Sequence, residues 1–212
     1  MKKNDGHEQA PVTGFHRYDG ADLVDDVNSM PQDDLSPATS RLSIGELLGR
    51  FEDFCNDPAY GAKRFPWAKG FAMGFPLPSF QRDLVWTTEQ KTRFIRSIWA
   101  GVDLGTYLVN DVMQLIGDES DVIFREFSEA LLDGQQRLTT LEQYVTNVFT
   151  VPDINGNAKY WGELGRSERR RFCGITFTMA TIKCWDEATL RHAYDIRAFG
   201  GTAHKESERA SR

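Results

Sequence analysis

The stretch ALLDGQQRLTTLEQY, residues 130–144, joins a short apolar run to a helical pattern through the polar cluster DGQQR. The run ALL predicts a short buried strand, and the spacing of apolar residues after the cluster predicts a helix. Gly134 allows a backbone conformation that other residues resist, so the strand can turn directly into the helix. The predicted core face of that helix comprises Leu138, Leu141, Tyr144, Val145 and Val148.

The polar cluster at this turn has the composition of a phosphate site. The first backbone amides of a helix have no partner within the helix and favour an anion. Arg137 lies one turn after Asp133, so its guanidinium can reach the same anion. Asp133 can hold a metal ion or orient a water, and Gln135 or Gln136 can position a nucleophile. From these residues alone, a turn in which Asp133 simply caps the helix is the alternative interpretation.

Patterns on either side of this stretch predict a single α+β domain. Further helices are predicted within residues 41–55, 87–101 and 186–199, and further strands at residues 106–116, 121–127 and 175–184. Ser43 is a candidate N-cap of the first helix, and Thr87 with Gln90 fits a capping box at the second. The strands at 106–116 and 121–127 are predicted to form a hairpin around the turn GDES.

Composition and cysteine usage favour a cytoplasmic protein with a real core. The chain has 212 residues, of which 40% are hydrophobic. No apolar run approaches the roughly 20 residues that span a bilayer, and no apolar segment follows the first two lysines as a secretory signal requires. The cysteines, Cys55, Cys173 and Cys184, form no C-x-x-C pair, which is typical of reduced thiols in the cytosol.

The net charge of −6 is concentrated in the first 40 residues, where three Lys or Arg stand against eight Asp or Glu. This acidic, proline-punctuated segment predicts a disordered N-terminal tail, followed by a folded domain over residues 41–212. Residues 166–212 carry ten Lys or Arg against six Asp or Glu, which is compatible with an anionic ligand there. Within that region, RSERRR (166–171) can contact nucleic acid or form the solvated start of a helix.

Three segments in order resemble one protein family. LLDGQQRLTTL resembles the signature of the GmrSD-type N-terminal domain, a branch of the ParB/sulfiredoxin-like fold. Residues 77–108, from LPSFQR to TYL, are similar to the opening motif of that family, and residues 190–210, with FGGTAH, are similar to its closing motif. The resemblance covers roughly residues 75–212 and implies a ParB/sulfiredoxin-like domain with a small mixed sheet and flanking helices.

The resemblance also implies a nucleotide site for ATP or GTP, with Mg²⁺ as a further cofactor. The implied catalytic residues are Asp133, Gln136 and Arg137. The implied nucleotide-binding residues are Gln81, Arg82, Gly134, Gln135, Gly200, Gly201, Thr202 and His204. From the residues alone, FGGTAH is either an anion-binding glycine loop or a flexible turn near a chain end. Ala198 and Ala203 depart from the Asn and Pro that are usual in the family.

Family members occur in modification-dependent restriction and other phage-defence systems, and relatives of the fold include plasmid fertility-inhibition proteins similar to Osa. The resemblance therefore implies an NTPase acting in conflict between mobile elements, with DNA, bound or cut, as a further partner. The alternative is a non-enzymatic inhibitor that blocks a partner, such as the coupling ATPase of a conjugation system or a component of a defence system. We expect no protein-borne metal centre and no downstream nuclease domain. Tyr194, Asp195 and Arg197 are predicted to pack or cap their helix.

Overall fold

The computed structural model describes residues 35–117 and 122–199, except for the side chain of Phe199. The helices of this part are α1 (Ile44–Asn56), α2 (Pro58–Arg64), α3 (Thr88–Trp99), α4 (Gln135–Val145), α5 (Arg166–Cys173) and α6 (Glu187–Phe199). Its strands are β1 (Ala38–Ser43), β2 (Gly70–Ala72), β3 (Phe75–Leu77), β4 (Thr106–Asn110), β5 (Leu131–Asp133), β6 (Val151–Pro152), β7 (Ala158–Lys159) and β8 (Thr176–Ile182).

The main sheet is small and mixed, with the strand order β1-β8-β4-β5. β8 pairs antiparallel with β1 and parallel with β4, while β4 pairs antiparallel with β5. In the last pair, Asp133 lies opposite Leu108. The α+β class with a small mixed sheet is therefore confirmed, and the sheet places the end of β5 beside the middle of β4.

The predicted helix starts are confirmed where the signal is local. Ser43 caps α1 in a capping box, in which its backbone N–H donates to Glu46 Oε2 at 2.6 Å. Thr87 caps α3 in the same way, with its N–H donating to Gln90 Oε1 at 2.8 Å. Such boxes satisfy amides that the helix itself leaves without partners, which explains why both helices begin where the sequence predicts.

The predicted hairpin over residues 106–116 and 121–127 is confirmed only near its tip. β4 ends at Asn110, and the tip has one isolated antiparallel bridge between Leu115 and Phe124, with backbone bonds from the Ile116 N–H to the Ile123 carbonyl and from the Arg125 N–H to the Gln114 carbonyl, each at 2.8 Å. The predicted turn lies largely at residues 118–121, outside the described residues. β4 pairs instead with β8 and β5, because residues 107–110 are buried and need long-range partners. Met113 and Ile116, by contrast, are exposed.

The structure also differs from the sequence prediction at two boundaries, the end of the N-terminal tail and the end of α4. Ala38, Thr39 and Ser40 fall within the predicted tail but belong to β1, because they pair with Met179–Thr181 of β8. Residues 1–34 of the predicted tail lie outside the described residues, and residues 35–37 are described but belong to no helix or strand. α4 ends at Val145, so Val148 is exposed and does not join the core face.

The core around α4 fixes the orientation of the DGQQR segment. Leu138 and Leu141 are fully buried in the main apolar cluster together with Tyr107 of β4 and Phe177 of β8. Since these side chains hold one face of α4 against the sheet, the first turn of α4 has a fixed position relative to β4 and β5.

Candidate functional site

The turn between β5 and α4 depends on Gly134. This residue is the N-cap of α4 and has φ +103° and ψ 1°, a left-handed conformation that favours glycine. A Cβ atom at this position would lie 2.5 Å from the Tyr107 Cβ, so the backbone approaches β4 more closely than a side chain permits. No side chain caps α4, so Asp133 does not cap the helix as in the alternative interpretation.

Asp133 is held instead by two arginines from different helices. Its Oδ2 atom accepts from Arg137 Nη2 at 3.2 Å and from Arg197 Nε at 3.1 Å. Both arginines also bind Thr106 at the start of β4: the distance to its carbonyl is 2.8 Å from Arg137 and 2.9 Å from Arg197. Arg137 further donates to the carbonyl of Leu104 at 2.8 Å. This network joins α4, α6 and β4 around one carboxylate.

The network leaves one oxygen of Asp133 open, since Oδ1 has no hydrogen-bond partner among the described residues. Burial lowers the pKa of Arg137, the neighbouring carboxylate of Asp133 opposes that shift, and the second guanidinium of Arg197 adds to it. Arginine keeps its charge through shifts of this kind. Two cations therefore share one anion, and the network has a net positive charge.

The side chain of Gln81 holds two segments of the chain together. Its buried side chain donates from Nε2 to the carbonyls of Leu131 and Leu132, each at 2.8 Å. These bonds attach the segment before α3 to β5. The next residue, Arg82, is exposed and has no hydrogen bond or ion pair within the part of the chain that the structure describes. Of the two residues predicted from the opening motif, Gln81 thus uses its amide nitrogen within the chain, whereas the whole guanidinium of Arg82 is available to a ligand.

Gln136 is likewise committed to the chain itself. Its Oε1 atom accepts from the backbone N–H groups of Val85 and Trp86 at 3.1 and 3.2 Å, and its Nε2 atom donates to the carbonyl of Asp83 at 2.9 Å. The expected placement of a nucleophile by Gln136 does not match this arrangement, because both ends of its amide are used. Gln136 instead fixes residues 83–86 against α4.

Substitution of Gln136 by leucine is therefore expected to loosen residues 83–86. The volume is nearly kept, but the amides of Val85 and Trp86 lose their acceptor. We expect these amides to exchange with deuterium about tenfold faster, as for one lost hydrogen bond of roughly 1.4 kcal/mol. Gln143→Leu is the matched control, because Gln143 also lies on α4 and its Oε1 has no hydrogen-bond partner among the described residues. Equal exchange in the two variants would contradict the assigned contacts.

Gln135 differs from its neighbour in having an unsatisfied side chain. It is 8% exposed, and its Oε1 atom is buried with no hydrogen-bond partner among the described residues. A buried polar atom without a partner costs about 1–3 kcal/mol, so native proteins rarely keep one without a reason. A ligand that donates to this oxygen would be such a reason.

These residues surround one cavity of about 90 Å³. Its wall is formed by Gln81, Arg82, Trp86, Asp133, Gly134, Gln135, Gln136, Arg137, Tyr194 and Ala198. The structure thus brings together the residues that the DGQQR segment and the opening motif predicted. Gly200, Gly201, Thr202 and His204 lie outside the described residues, although Ala198, two positions before Gly200, is part of the wall.

Two residues of this site were missed by the sequence analysis. Arg197, predicted to pack or cap its helix, binds Asp133, and Tyr194 both lines the cavity and packs on Phe80 with ring centroids 5.6 Å apart. Tyr194, Arg197 and Ala198 have helical i, i+3, i+4 spacing, which places them on one face of α6. That spacing, immediately before the predicted glycine loop, could have indicated that this face of α6 contributes to the site.

Within residues 35–117 and 122–199, no group of three or more His, Cys, Asp or Glu side chains is placed to hold a metal ion. The same search range contains no helix long and apolar enough to cross a membrane.

Comparison with known proteins gives one family and one relative. The family model for the N-terminal domain of GmrSD restriction endonucleases matches residues 67–204. An uncharacterized protein of Methanocaldococcus jannaschii is 32% identical over 77 residues, which make up 31% of this chain and 13% of that protein. The chain thus spans only a small part of that relative. No solved structure matches.

Proposed function

Because the chain belongs to the family of GmrSD restriction endonuclease N-terminal domains, we propose that it binds ATP or GTP at the DGQQR segment and hydrolyses it. The proposed setting is cytoplasmic phage defence or a related conflict between mobile elements, with DNA as a further partner. The small mixed sheet with flanking helices supports a ParB/sulfiredoxin-like arrangement.

One observation carries this proposal: the start of α4 lies on the same cavity as the uncommitted cation Arg82. The first-turn amides of a helix favour an anion. The guanidinium of Arg82 adds charge, and the network around Asp133 is itself net positive. A phosphate is an anion that uses all three features together.

The cavity size indicates which part of the nucleotide it would enclose. About 90 Å³ is well below the roughly 300–1,000 Å³ typical of sites that enclose a whole ligand. We therefore place one phosphoryl group in the cavity and the ribose and base outside it. Gly200, Gly201, Thr202 and His204 are proposed to contact the remaining phosphates.

Within this proposal the residues divide into ligand contacts and positioning groups. Asp133 would hold Mg²⁺ or orient the attacking water through its open Oδ1 atom. Arg82 would neutralise charge on the phosphate, the usual contribution of a protein to phosphoryl transfer. Arg137 and Arg197 would keep Asp133 in place, because their donors already bind it and the carbonyl of Thr106.

Magnesium fits this donor set. Mg²⁺ in nucleotide sites is commonly held by one or two carboxylates together with the substrate phosphates, and it supplies charge neutralisation when bound. Asp133 provides the single carboxylate that such a site needs, and its partners fix its orientation.

The proposal is tested by binding and hydrolysis of the four NTPs, with and without Mg²⁺ and DNA. We expect one or more NTPs to bind, and Arg82→Ala to weaken that binding about tenfold, as for one lost charge-assisted contact. Arg93→Ala is the matched control, since Arg93 is an exposed arginine of α3 that does not line the cavity. Absence of binding to all four NTPs, or equal affinity in the two variants, would refute the assignment.

A further inference from the structure

A second and larger cavity, which we call the distal cavity, lies between α3, α5 and the strands β6 and β7. Its volume is about 580 Å³, within the range of sites that enclose a whole small ligand. Its wall includes Trp99 at the end of α3, Tyr144 near the end of α4, and Val151 of β6. It shares no wall residue with the cavity at the DGQQR segment.

The two cavities lie at opposite ends of the same helix pair. Trp86, just before α3, and Gly134, just before α4, line the first cavity. Trp99 and Tyr144 line the distal one at the other ends of these helices. With 12 residues at 1.5 Å each, α3 separates them by roughly 18 Å. A ligand of the distal cavity would therefore not touch the phosphate site.

The distal cavity has an apolar wall and an exposed apolar rim. Trp99 is half-buried and packs on Phe172 with ring centroids 4.8 Å apart, so its position is fixed. Leu164 and Val151 add aliphatic surface. Ile154, at the turn after β6, is 101% exposed, so no part of the described chain covers it. These surfaces suit a flat or apolar group.

Three cations line the same cavity: Arg96, Lys159 and Arg171. Arg96 and Lys159 have no side-chain hydrogen bond or ion pair among the described residues. Arg171 donates one bond, from Nη2 to the carbonyl of Trp99 at 2.9 Å, which holds its guanidinium beside the indole. The remaining donors of the three side chains are available to an anion.

The two carboxylates in the wall are already engaged in their own turns. Asp153 accepts from the N–H groups of Asn155 and Asn157, each at 2.9 Å, and these bonds help to lower its pKa. Glu168 accepts from the N–H of Gly165 at 2.9 Å, at the start of α5. Asp153 also attracts Lys159, but three cations against two carboxylates leave the wall with one excess positive charge, and the cations have donors to spare, so the cavity favours a negatively charged ligand.

We propose that the distal cavity binds a nucleotide, with its base against Trp99 and its phosphate at Arg96, Lys159 and Arg171. A nucleotide combines a flat ring with an anion and has the size that the cavity offers. This also gives a function to one residue of the RSERRR segment, since Arg171 lines the cavity whereas Arg166 does not. The site goes beyond the proposed NTPase site and is separate from it.

The test uses indole N–H resonances of the ¹⁵N-labelled full chain, which has five tryptophans. Trp99 reports on the distal cavity and Trp86 on the DGQQR cavity, and each is assigned with its Trp→Phe variant. AMP and a 5′-phosphorylated eight-nucleotide single-stranded DNA are titrated separately. We expect a saturable shift of the Trp99 resonance with at least one of them, and the two arms distinguish a free nucleotide from one within a strand.

Two kinds of variant test whether the probes bind in the distal cavity: one removes its cations and the other fills its space. Arg96→Ala combined with Lys159→Ala is expected to weaken the titration of Trp99 about tenfold or more, whereas Arg166→Ala, at the start of α5 and outside the cavity wall, leaves it unchanged. Ala100→Trp, at an exposed wall position, is expected to block binding without removing a charge. A Trp99 resonance that moves with neither probe, or that titrates equally in all variants, overturns the proposal. A response of Trp86 alone would support the NTPase site and overturn this one.

Discussion

Substitution of Gly134 by alanine is expected to lower the free energy of unfolding by about 3 kcal/mol or more, as the sum of two costs. The first is backbone strain, since φ is +103° and non-glycine residues pay roughly 1–2 kcal/mol for left-handed geometry. The second is overlap, since the new Cβ would lie 2.5 Å from the Tyr107 Cβ and 3.3 Å from the Tyr107 Cα. Tyr107 is fully buried in β4 and has no room to move.

Gly101→Ala is the matched control for this prediction. Gly101 also has a positive φ, +70°, but a Cβ there would meet nothing within 4 Å. It should therefore show the strain alone, about 1 kcal/mol, and the difference between the variants measures the close approach of the turn to β4. Urea unfolding followed by circular dichroism gives both values. Equal losses for the two alanines would mean that the turn and β4 are not in the contact described here.

The sequence predicted those parts of the fold whose cause is local. The capping boxes at Ser43 and Thr87 need only residues three positions apart, and both helices start as expected. The hairpin predicted after Thr106 formed only near its tip, because β4 finds its partner in β8, about seventy residues later, and no local pattern contains that pairing. Alternating or apolar runs indicate a strand but do not name its neighbour.

In the site, too, the sequence predicted that residues close in sequence lie together, but it did not predict contacts between distant residues. Arg137 is four residues after Asp133, so the sequence predicted that both lie at one site, but as contacts of a bound anion and not as partners of each other. The bond from Arg197 to the same carboxylate crosses 64 positions and needed the structure. A motif also does not say whether a polar side chain binds a ligand or the backbone of the chain itself. Gln81 and Gln136 bind backbone groups of neighbouring segments, because buried carbonyls and amides need hydrogen-bond partners.

Substitution of Asp133 by asparagine is expected to have the largest effect on the proposed reaction. Asparagine keeps an oxygen that can accept from Arg137 and Arg197, so the network survives, but the negative charge is lost. If Asp133 holds Mg²⁺ or orients the water, hydrolysis should fall by about 10²–10⁴-fold, the usual contribution of such a group. Binding of Mg²⁺-free nucleotide should be equal or tighter, because the surrounding cations then face no carboxylate.

This separation of binding from turnover distinguishes the role of Asp133 from a structural one. Damage to the fold would weaken both binding and hydrolysis, whereas loss of the carboxylate alone lowers hydrolysis without weakening the binding of Mg²⁺-free nucleotide. Asp111→Asn is the control, because within the described residues the side chain of Asp111 makes only a surface ion pair with Lys183 at 3.5 Å. Unchanged hydrolysis in Asp133→Asn would remove the carboxylate from the mechanism. Undiminished inhibition of phage growth or plasmid transfer by a variant that no longer hydrolyses nucleotide would favour the alternative function, a domain that acts by blocking a partner protein.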